Sequence, residues 1–433
     1  MSLRWIAGGR VIDPGQGVDR LGDVEIADGH VVALHPEGTA PVGEGTLDAK
    51  GLWVLPGLID IHVHLREPGQ EYKEDLLSGS RAAVAGGVTT LVCMPNTKPA
   101  IDKREVVGLL RRRADQIGLC DIQVCGAISR GLKGEELADL GEMAEAGAAC
   151  FSDDGYPVMN AGLLRRAFEY ASDLNLMLML HEEEIDLSNG GSMHEGAVSS
   201  RAGLRGIPAA SESSLIARDL EIAHEFGGRM HVCHMSTKRG VELVRAAKAR
   251  GWPVSAEVTP HHLFLTDLAV VESDYHGHTK MNPPLRSREH VQALREGLRD
   301  GTIEAIATDH APHGDVEKEE AFGCCAFGVT GLETSFALSL RLVDEGVIDL
   351  SRAVELHTAG PANVMGWSDR GRLEPGRRAD LCLVDPEVVW TVDPNEGFSK
   401  SVNTPFVGWQ LKGRVCTTIF EGNIVYQNGR PAR

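Results

Sequence analysis

The chain has 433 residues, 42% of them hydrophobic and 24% charged, the balance of a globular protein with a sizeable core. Its formal net charge of −19 excludes bulk attraction to nucleic acid or to an anionic membrane, so an anionic ligand would need local positive charge. The nine cysteines are scattered and odd in number, the start lacks the apolar core of a signal peptide, and no apolar run is long enough to span a membrane; a cytoplasmic chain with buried thiols is expected.

Residues 1–54 carry short strand-like runs, at 5–7, 10–12, 23–26 and 30–34, separated by Gly, Pro and Asp turns. A different rhythm begins at Gly51. Apolar runs at 54–61, 88–93, 122–128, 148–151, 176–180, 230–233, 254–258 and 303–307 alternate with amphipathic stretches at 104–113, 135–146, 163–173, 211–225, 240–249 and 289–299. Near-continuous apolar strands alternating with helices imply a parallel sheet covered on its outer face. Eight such units predict an α/β fold, a (β/α)₈ TIM-like barrel, over 55–365. An open doubly wound sheet would instead carry a Gly-rich phosphate loop after its first strand. From 366 to 433 the short-strand rhythm returns. The two ends are expected to pair into one small β-sandwich domain built from both termini.

Functional groups on such a barrel collect at the C-terminal ends of its strands. The first run leads into Asp60-Ile61-His62-Val63-His64-Leu65-Arg66. Strand alternation predicts His62, His64 and Arg66 on one side, with Asp60 accepting from a ring N–H. Later runs end in Met94-Pro95-Asn96-Thr97, Ser152-Asp153-Asp154-Gly155, His181-Glu182-Glu183, Cys233-His234-Met235-Ser236, Thr259-Pro260-His261-His262 and Thr308-Asp309-His310-Ala311-Pro312-His313. Any one of these is ordinary loop chemistry, because Asp and His cap helices and satisfy loop backbone. As a set they would all be aimed at one mouth. His62, His64 and Asp309 suffice for one divalent ion, His181 and His234 for a second, and an Asp after the fourth strand for a bridge. Nitrogen and carboxylate donors without thiolate suit zinc, which lowers the pKa of a bound water to about 7. Asp309 is the residue best placed to take and return a proton.

At DIHVHLREPG, MPNT, FSDDG, HEE, VCHMS, EVTPHHL, MNPPLR, ATDHAPH, CAFGVTGLET and GRLEPGRRADL the chain resembles a dihydroorotase of the class found in many bacteria, within the amidohydrolase superfamily. The likeness runs over essentially the whole length. It implies reversible interconversion of N-carbamoyl-L-aspartate and L-dihydroorotate in pyrimidine (UMP) synthesis, with one or two Zn2+ ions per chain. It implies that His62 and His64 hold the first metal, Asp154 bridges, His181 and His234 hold the second, and Asp309 is the catalytic acid/base touching the first. His64, Arg66, Asn96, Asn282, His313 and the Phe327-Gly328 backbone are implied substrate contacts. A substrate carboxylate calls for the planar fork of Arg66. Some related amidohydrolases bridge their metals with a carboxylated lysine. No lysine ends the first six strands here, and Asp154 fits the class that uses aspartate.

A homo-oligomer is expected, and an assembly with aspartate transcarbamoylase alongside catalysis is left open. Two other functions compete. One is a cyclic amidohydrolase of allantoinase or hydantoinase type, against which Arg66 with Asn96 and Asn282 speaks. The other is a non-catalytic scaffold for aspartate transcarbamoylase, against which the complete ligand set speaks. Asp153 reads as a loop cap or a residue behind the ligands, His261 and His262 as packing or hydrogen-bonded histidines, and 314–326 most simply as a solvated loop, with closure over substrate as the functional expectation.

Overall fold

Trp53–Pro56 is the strand on which the two ends of the chain meet. Its Leu55 pairs antiparallel with Cys382 on Leu381–Thr391, and its Val54 pairs parallel with Val11 on Trp5–Asp13. Around it runs one nine-stranded mixed sheet. Val18–Ala27 and His30–His35 extend one flank; Gln410–Phe420, Asn423–Gln427 and Arg430–Pro431 extend the other. This computed structural model describes residues 3–432. Val24, Ile26 and Val31 from one flank share a core with Leu381, Leu383 and Ile419 from the other, so the sheet curls to bury them together. Where the sequence shows separate short runs, the strands are continuous. Register shifts between Ile6 and Gly9 and between Asp385 and Val389 absorb the glycines and Pro386.

The run 54–61 is not one strand. It divides at Gly57: Trp53–Pro56 stays in the terminal sheet, and Leu58–Val63 opens the barrel. A Cβ at Gly57 would collide with the Thr89 side chain, so only glycine lets the chain pass here. The change of sheet therefore falls at Gly57, not between residues 54 and 55.

Leu58–Val63, Val88–Cys93, Asp121–Gly126, Ala148–Phe151, Met177–Leu180, Arg229–Val232, Val254–Val258 and Ala305–Ile306 lie side by side in chain order as an eight-stranded parallel sheet. The last strand returns to the first. Val63 bridges His310, and the His64 N–H donates to His310 O at 2.8 Å. Asp60 completes that seam, accepting from the Thr308 hydroxyl at 2.6 Å and the Thr308 N–H at 3.2 Å. Its remaining contact is the His62 backbone N–H at 3.1 Å. The expected role of Asp60 as a ring acceptor is thus overturned: it ties strand to strand. Burial, against these hydrogen bonds, raises its pKa to about 6.

Helices pack outside by their apolar stripes. On Arg104–Ile117, Val107, Leu110 and Ala114 face inward at helical spacing, and Gly118 at φ 59 ends the helix by donating to Ala114 O. The helix expected over 135–146 is confined to Leu140–Glu145, because Ser129 and Leu137 pair as a bridge just upstream. Cys93, Cys120, Cys125, Cys150, Cys233, Cys325 and Cys382 are buried free thiols. Among the described residues no helix is long and apolar enough to cross a membrane.

One carboxylate fastens the barrel to the segment that leads back to the terminal sheet. Asp121 Oδ2 accepts from Arg370 at 2.7 Å and Arg378 at 2.9 Å. Burial pushes its pKa up, but the two guanidiniums outweigh it and hold it at about 2. That value lies below the ordinary carboxylate pKa of about 3.9, so the stabilisation is complete above pH 4 or so and is lost as pH falls to about 2. Asp121→Asn should therefore cost about 2 to 3 kcal/mol at pH 7. Thermal melts from pH 7 down to 2.5 check this: the gap between variant and parent should close in the acid limb, and a constant gap would contradict it.

Candidate metal centre and active site

His62 and His64 leave the first barrel strand where its pairing with the second slips between Asp60 and Val63. Both meet the carboxylates brought by the fourth and eighth strands. His62 Nε2 lies 3.3 Å from Asp154 Oδ1 and 3.7 Å from Asp309 Oδ1. His64 Nε2 lies 2.9 Å from Asp309 Oδ1 and 3.5 Å from Asp154 Oδ2. His234 Nε2 lies 3.3 Å from Asp154 Oδ1 and 3.0 Å from His181 Nδ1, which is itself 3.7 Å from Asp154 Oδ1. The expected ligand residues are thus gathered at one point. His62, His64 and Asp309, and again His62, Asp154 and His234, hold ligand atoms within 4.8 Å of one another. Arg66 (φ 61), His234 (φ 32) and Asp309 (φ 47) are left-handed without being glycine. Such backbone costs about 1–3 kcal/mol a residue and persists where the surroundings over-determine it.

These groups fit a divalent cation. All are buried, and His62 Nε2 finds no hydrogen-bond partner although carboxylate oxygens surround it. A buried polar atom left unpaired costs about 1–3 kcal/mol, which a shared cation removes. The donors are nitrogen and carboxylate oxygen, a set suited to transition-metal ions. A third triplet, His62, Cys233 and Glu257, also lies within 4.8 Å, but Glu257 Oε1 is already 2.7 Å from His62 Nδ1.

The electrostatics point the same way. Burial opposes charge on His62, but Asp154, Cys233 and Glu257 overcome it and hold its pKa well above the ordinary value. Burial is likewise outweighed at His181, where Asp154 and Glu183 raise the pKa to about 10. Asp154 and Asp309 are pulled down despite burial, mainly by His62 and the neighbouring imidazoles at the first and by His64 at the second. Around Asp154 the cluster is a site of negative potential that draws positive charge.

Around the cluster the remaining expected residues line one pocket of about 220 Å³: Arg66, Asn96, Asn282, His313, Phe327 and Gly328, joined by Tyr156. The lining contains no lysine. Asn96 Oδ1 accepts from His64 Nδ1 at 2.8 Å, while its Nδ2 donates to Asp154 Oδ2 at 3.3 Å. Arg66 donates through Nε to Pro312 O at 3.1 Å and meets His313 Nε2 through Nη2 at 3.1 Å. Burial, with Arg66, Lys73 and Lys318 nearby, pushes His313 down to about 2, so its ring is neutral. Asn282 Nδ2 donates to Glu183 Oε2 at 2.7 Å, and its buried Oδ1 has no partner. Gly328, at φ 123, lies so close to Ala311 that a Cβ would sit 2.6 Å from the Ala311 methyl.

Two acids were missed in the sequence. Glu257 grips His62 Nδ1 with one oxygen and lies 3.2 Å from His231 Nε2 with the other. Its signal was a lone carboxylate inside the apolar strand Val254–Val258. Glu183 Oε2 lies 3.1 Å from His181 Nε2. Asp153 points elsewhere, accepting from the backbone N–H groups of Ile128 and Ser129 at 2.8 and 3.0 Å. His262 bonds Thr259 Oγ1 at 2.7 Å and Pro283 O at 3.0 Å, while the buried His261 Nε2 has no partner. The segment 314–326 carries a short helix, Asp315–Glu319.

Residues 51–240 match the profile of the Dihydro-orotase-like family, and 216–426 that of the Amidohydrolase family. The chain is 50% identical over 429 residues to a dihydroorotase of Anaeromyxobacter sp., covering 99% of both chains. It is 48% identical over 422 residues to one of Geobacter metallireducens, covering 98% and 99%. Among solved structures it is similar to an L-hydantoinase (dihydropyrimidinase) from Arthrobacter aurescens, with a TM-score of 0.88 at 25% identity over 100% and 98% of the chains. A D-hydantoinase from Thermus sp., with a TM-score of 0.84 at 24% identity over 99% and 96%, shares the fold. With half its residues identical to those relatives along its full length, and with the barrel and buried imidazole–carboxylate cluster in hand, the chain belongs to the dihydroorotase family of amidohydrolases.

Proposed function

We propose that the chain is a zinc-dependent enzyme that reversibly closes N-carbamoyl-L-aspartate to L-dihydroorotate, a step of pyrimidine synthesis. The observation that carries the reading is a buried guanidinium, Arg66, in the same pocket of about 220 Å³ as the imidazole–carboxylate cluster. A carboxylate-binding fork then stands beside groups suited to amide hydrolysis. The relatives named dihydroorotase support it, and a cytoplasmic homo-oligomer is the form in which we expect it.

In this reading His62, His64 and Asp309 hold one ion, His181 and His234 hold a second, and Asp154 bridges. When bound, zinc polarises the amide carbonyl and lowers the pKa of water to about 7. The chain's own residues do the rest. Arg66, helped by Asn96 and His313, binds the substrate carboxylate. Asn282 and the Phe327-Gly328 backbone hold the ring amides, which fixes the scissile carbonyl at the cluster. Asp309 takes a proton from the attacking water and returns it to the departing ring nitrogen. In ring closure the same carboxylate works in reverse.

Purified, zinc-loaded protein should turn over in both directions, lose activity on chelation and regain it with zinc, with one or two ions per chain. Metal-loaded protein inert on both substrates would favour a hydantoinase-type substrate or a scaffold for aspartate transcarbamoylase; turnover with that partner bound would fit an assembly that also catalyses.

Replacing Arg66 with Met should lower kcat/KM for dihydroorotate at least about 100-fold while metal content holds. Undiminished activity would point to a substrate without a carboxylate. Glu257→Gln should weaken metal binding about 10- to 100-fold, read by competition with a chromogenic chelator. Unchanged affinity would mean that the Glu257–His62 contact does not prepare the ligand.

A further inference from the structure

Lys318 is almost wholly buried, with 2% of its surface exposed. Its partners are not carboxylates. Nζ donates to Ala326 O at 2.7 Å, Gly328 O at 2.9 Å and Lys280 O at 3.2 Å. An ammonium has three protons, and here three carbonyls take them. Its chain neighbour Glu317 is engaged elsewhere, 2.7 Å from Lys73. Burying an ammonium without a counter-ion is costly, and here burial drives its pKa down to about 8. So expensive a contact calls for a reason beyond holding a loop.

The carbonyls it gathers explain it. Ala326 and Gly328 flank Phe327, and Phe327 and Gly328 line the pocket. Gly328 N–H donates to Lys280 O at 3.0 Å, the same carbonyl that Lys318 binds. Asn403 Nδ2 adds a bond to Gly328 O at 3.1 Å, and the Lys280 ammonium stands 4.4 Å from the centre of the Phe327 ring. The helix carrying Lys318 has one turn and could not fix this backbone by packing alone.

We propose that Lys318 is a positioning residue for substrate binding: by drawing the carbonyls on both sides of Phe327 onto one ammonium, it sets the Phe327-Gly328 backbone at the spacing the substrate requires. It touches no reacting atom. The inference rests on the function proposed above only for the identity of the substrate. A residue that merely anchored the loop would affect stability or turnover; a positioning residue affects KM first.

The test uses full-length, zinc-loaded protein with Lys318→Met, which removes all donors, and Lys318→Gln, which keeps two. Lys318→Met should raise KM for dihydroorotate about tenfold with kcat within about threefold and metal content unchanged, and Lys318→Gln should fall between it and the parent. Amide hydrogen exchange in a peptide covering 324–330 should quicken in the same order. Unaltered KM and exchange in a folded Lys318→Met protein overturn the proposal. So does failure of both variants to fold or to keep metal, because the residue then supports the whole barrel. If the parent itself does not act on dihydroorotate, the functional reading fails, and the exchange measurement alone decides whether Lys318 orders this backbone.

Discussion

The Asp154 carboxylate is the point on which the centre depends. Its oxygens lie within 3.7 Å of ring nitrogens from His62, His64, His181 and His234, on three different strand ends. Away from water such charges act several-fold more strongly than on a surface, both when they match and when they do not. The arrangement is therefore tolerable only if the strand ends are fixed relative to one another. The closed barrel supplies that, and one of its joints, where last strand meets first, lies beside the site. There Asp60 holds Thr308, and the His64 backbone holds His310, each one residue from Asp309. The seam and the site are thus adjacent parts of one construction.

Orientation of the rings is a second requirement, met by a separate layer of acceptors. Each imidazole that turns one nitrogen to the cluster has the other taken up behind it: His62 Nδ1 by Glu257, His64 Nδ1 by Asn96, His181 Nε2 by Glu183. An acceptor there fixes the tautomer and leaves the opposite nitrogen's lone pair facing the cluster, free for a cation. His234 is the exception. Its Nδ1 is buried without a partner, and its backbone is left-handed at φ 32.

The barrel was legible because its strands are buried on both faces and so read as unbroken apolar runs, and the imidazole–carboxylate cluster was legible because His and Asp interrupt those runs at their ends. What was not legible has physical causes. The run 54–61 is apolar but for Asp60, since both of the sheets it serves are buried, and the crossing shows in the close approach of Gly57 to Thr89. The helices Leu76–Ala85 and Ser335–Asp344 are covered nearly all round, so they lack the polar face by which the other helices announce themselves. Glu257 and Asp60 act on residues 195 and 248 positions away, and no local pattern encodes such a partner. Asp60 was misassigned because sequence proximity to His62 suggested a contact that the fold gives to Glu257.

Likeness of fold does not settle chemistry here, because a TM-score of 0.88 joins this chain to a hydantoinase, an enzyme named for a different substrate class. What the barrel and cluster share cannot discriminate; the wall opposite can. The protein carries a net charge of −19, and at long range it repels an anion. Salt screens that repulsion within about 8 Å. Inside this distance the balance reverses at His313, whose ring meets Arg66 at 3.1 Å and Lys73 at 3.4 Å and is kept neutral by burial and by them. Its two nitrogens face those cations, so the neutral ring spaces Arg66 from Lys73 without adding positive charge of its own. Any preference for an acidic substrate over other cyclic amides has to come from the local charge around Arg66, not from the fold or the overall charge.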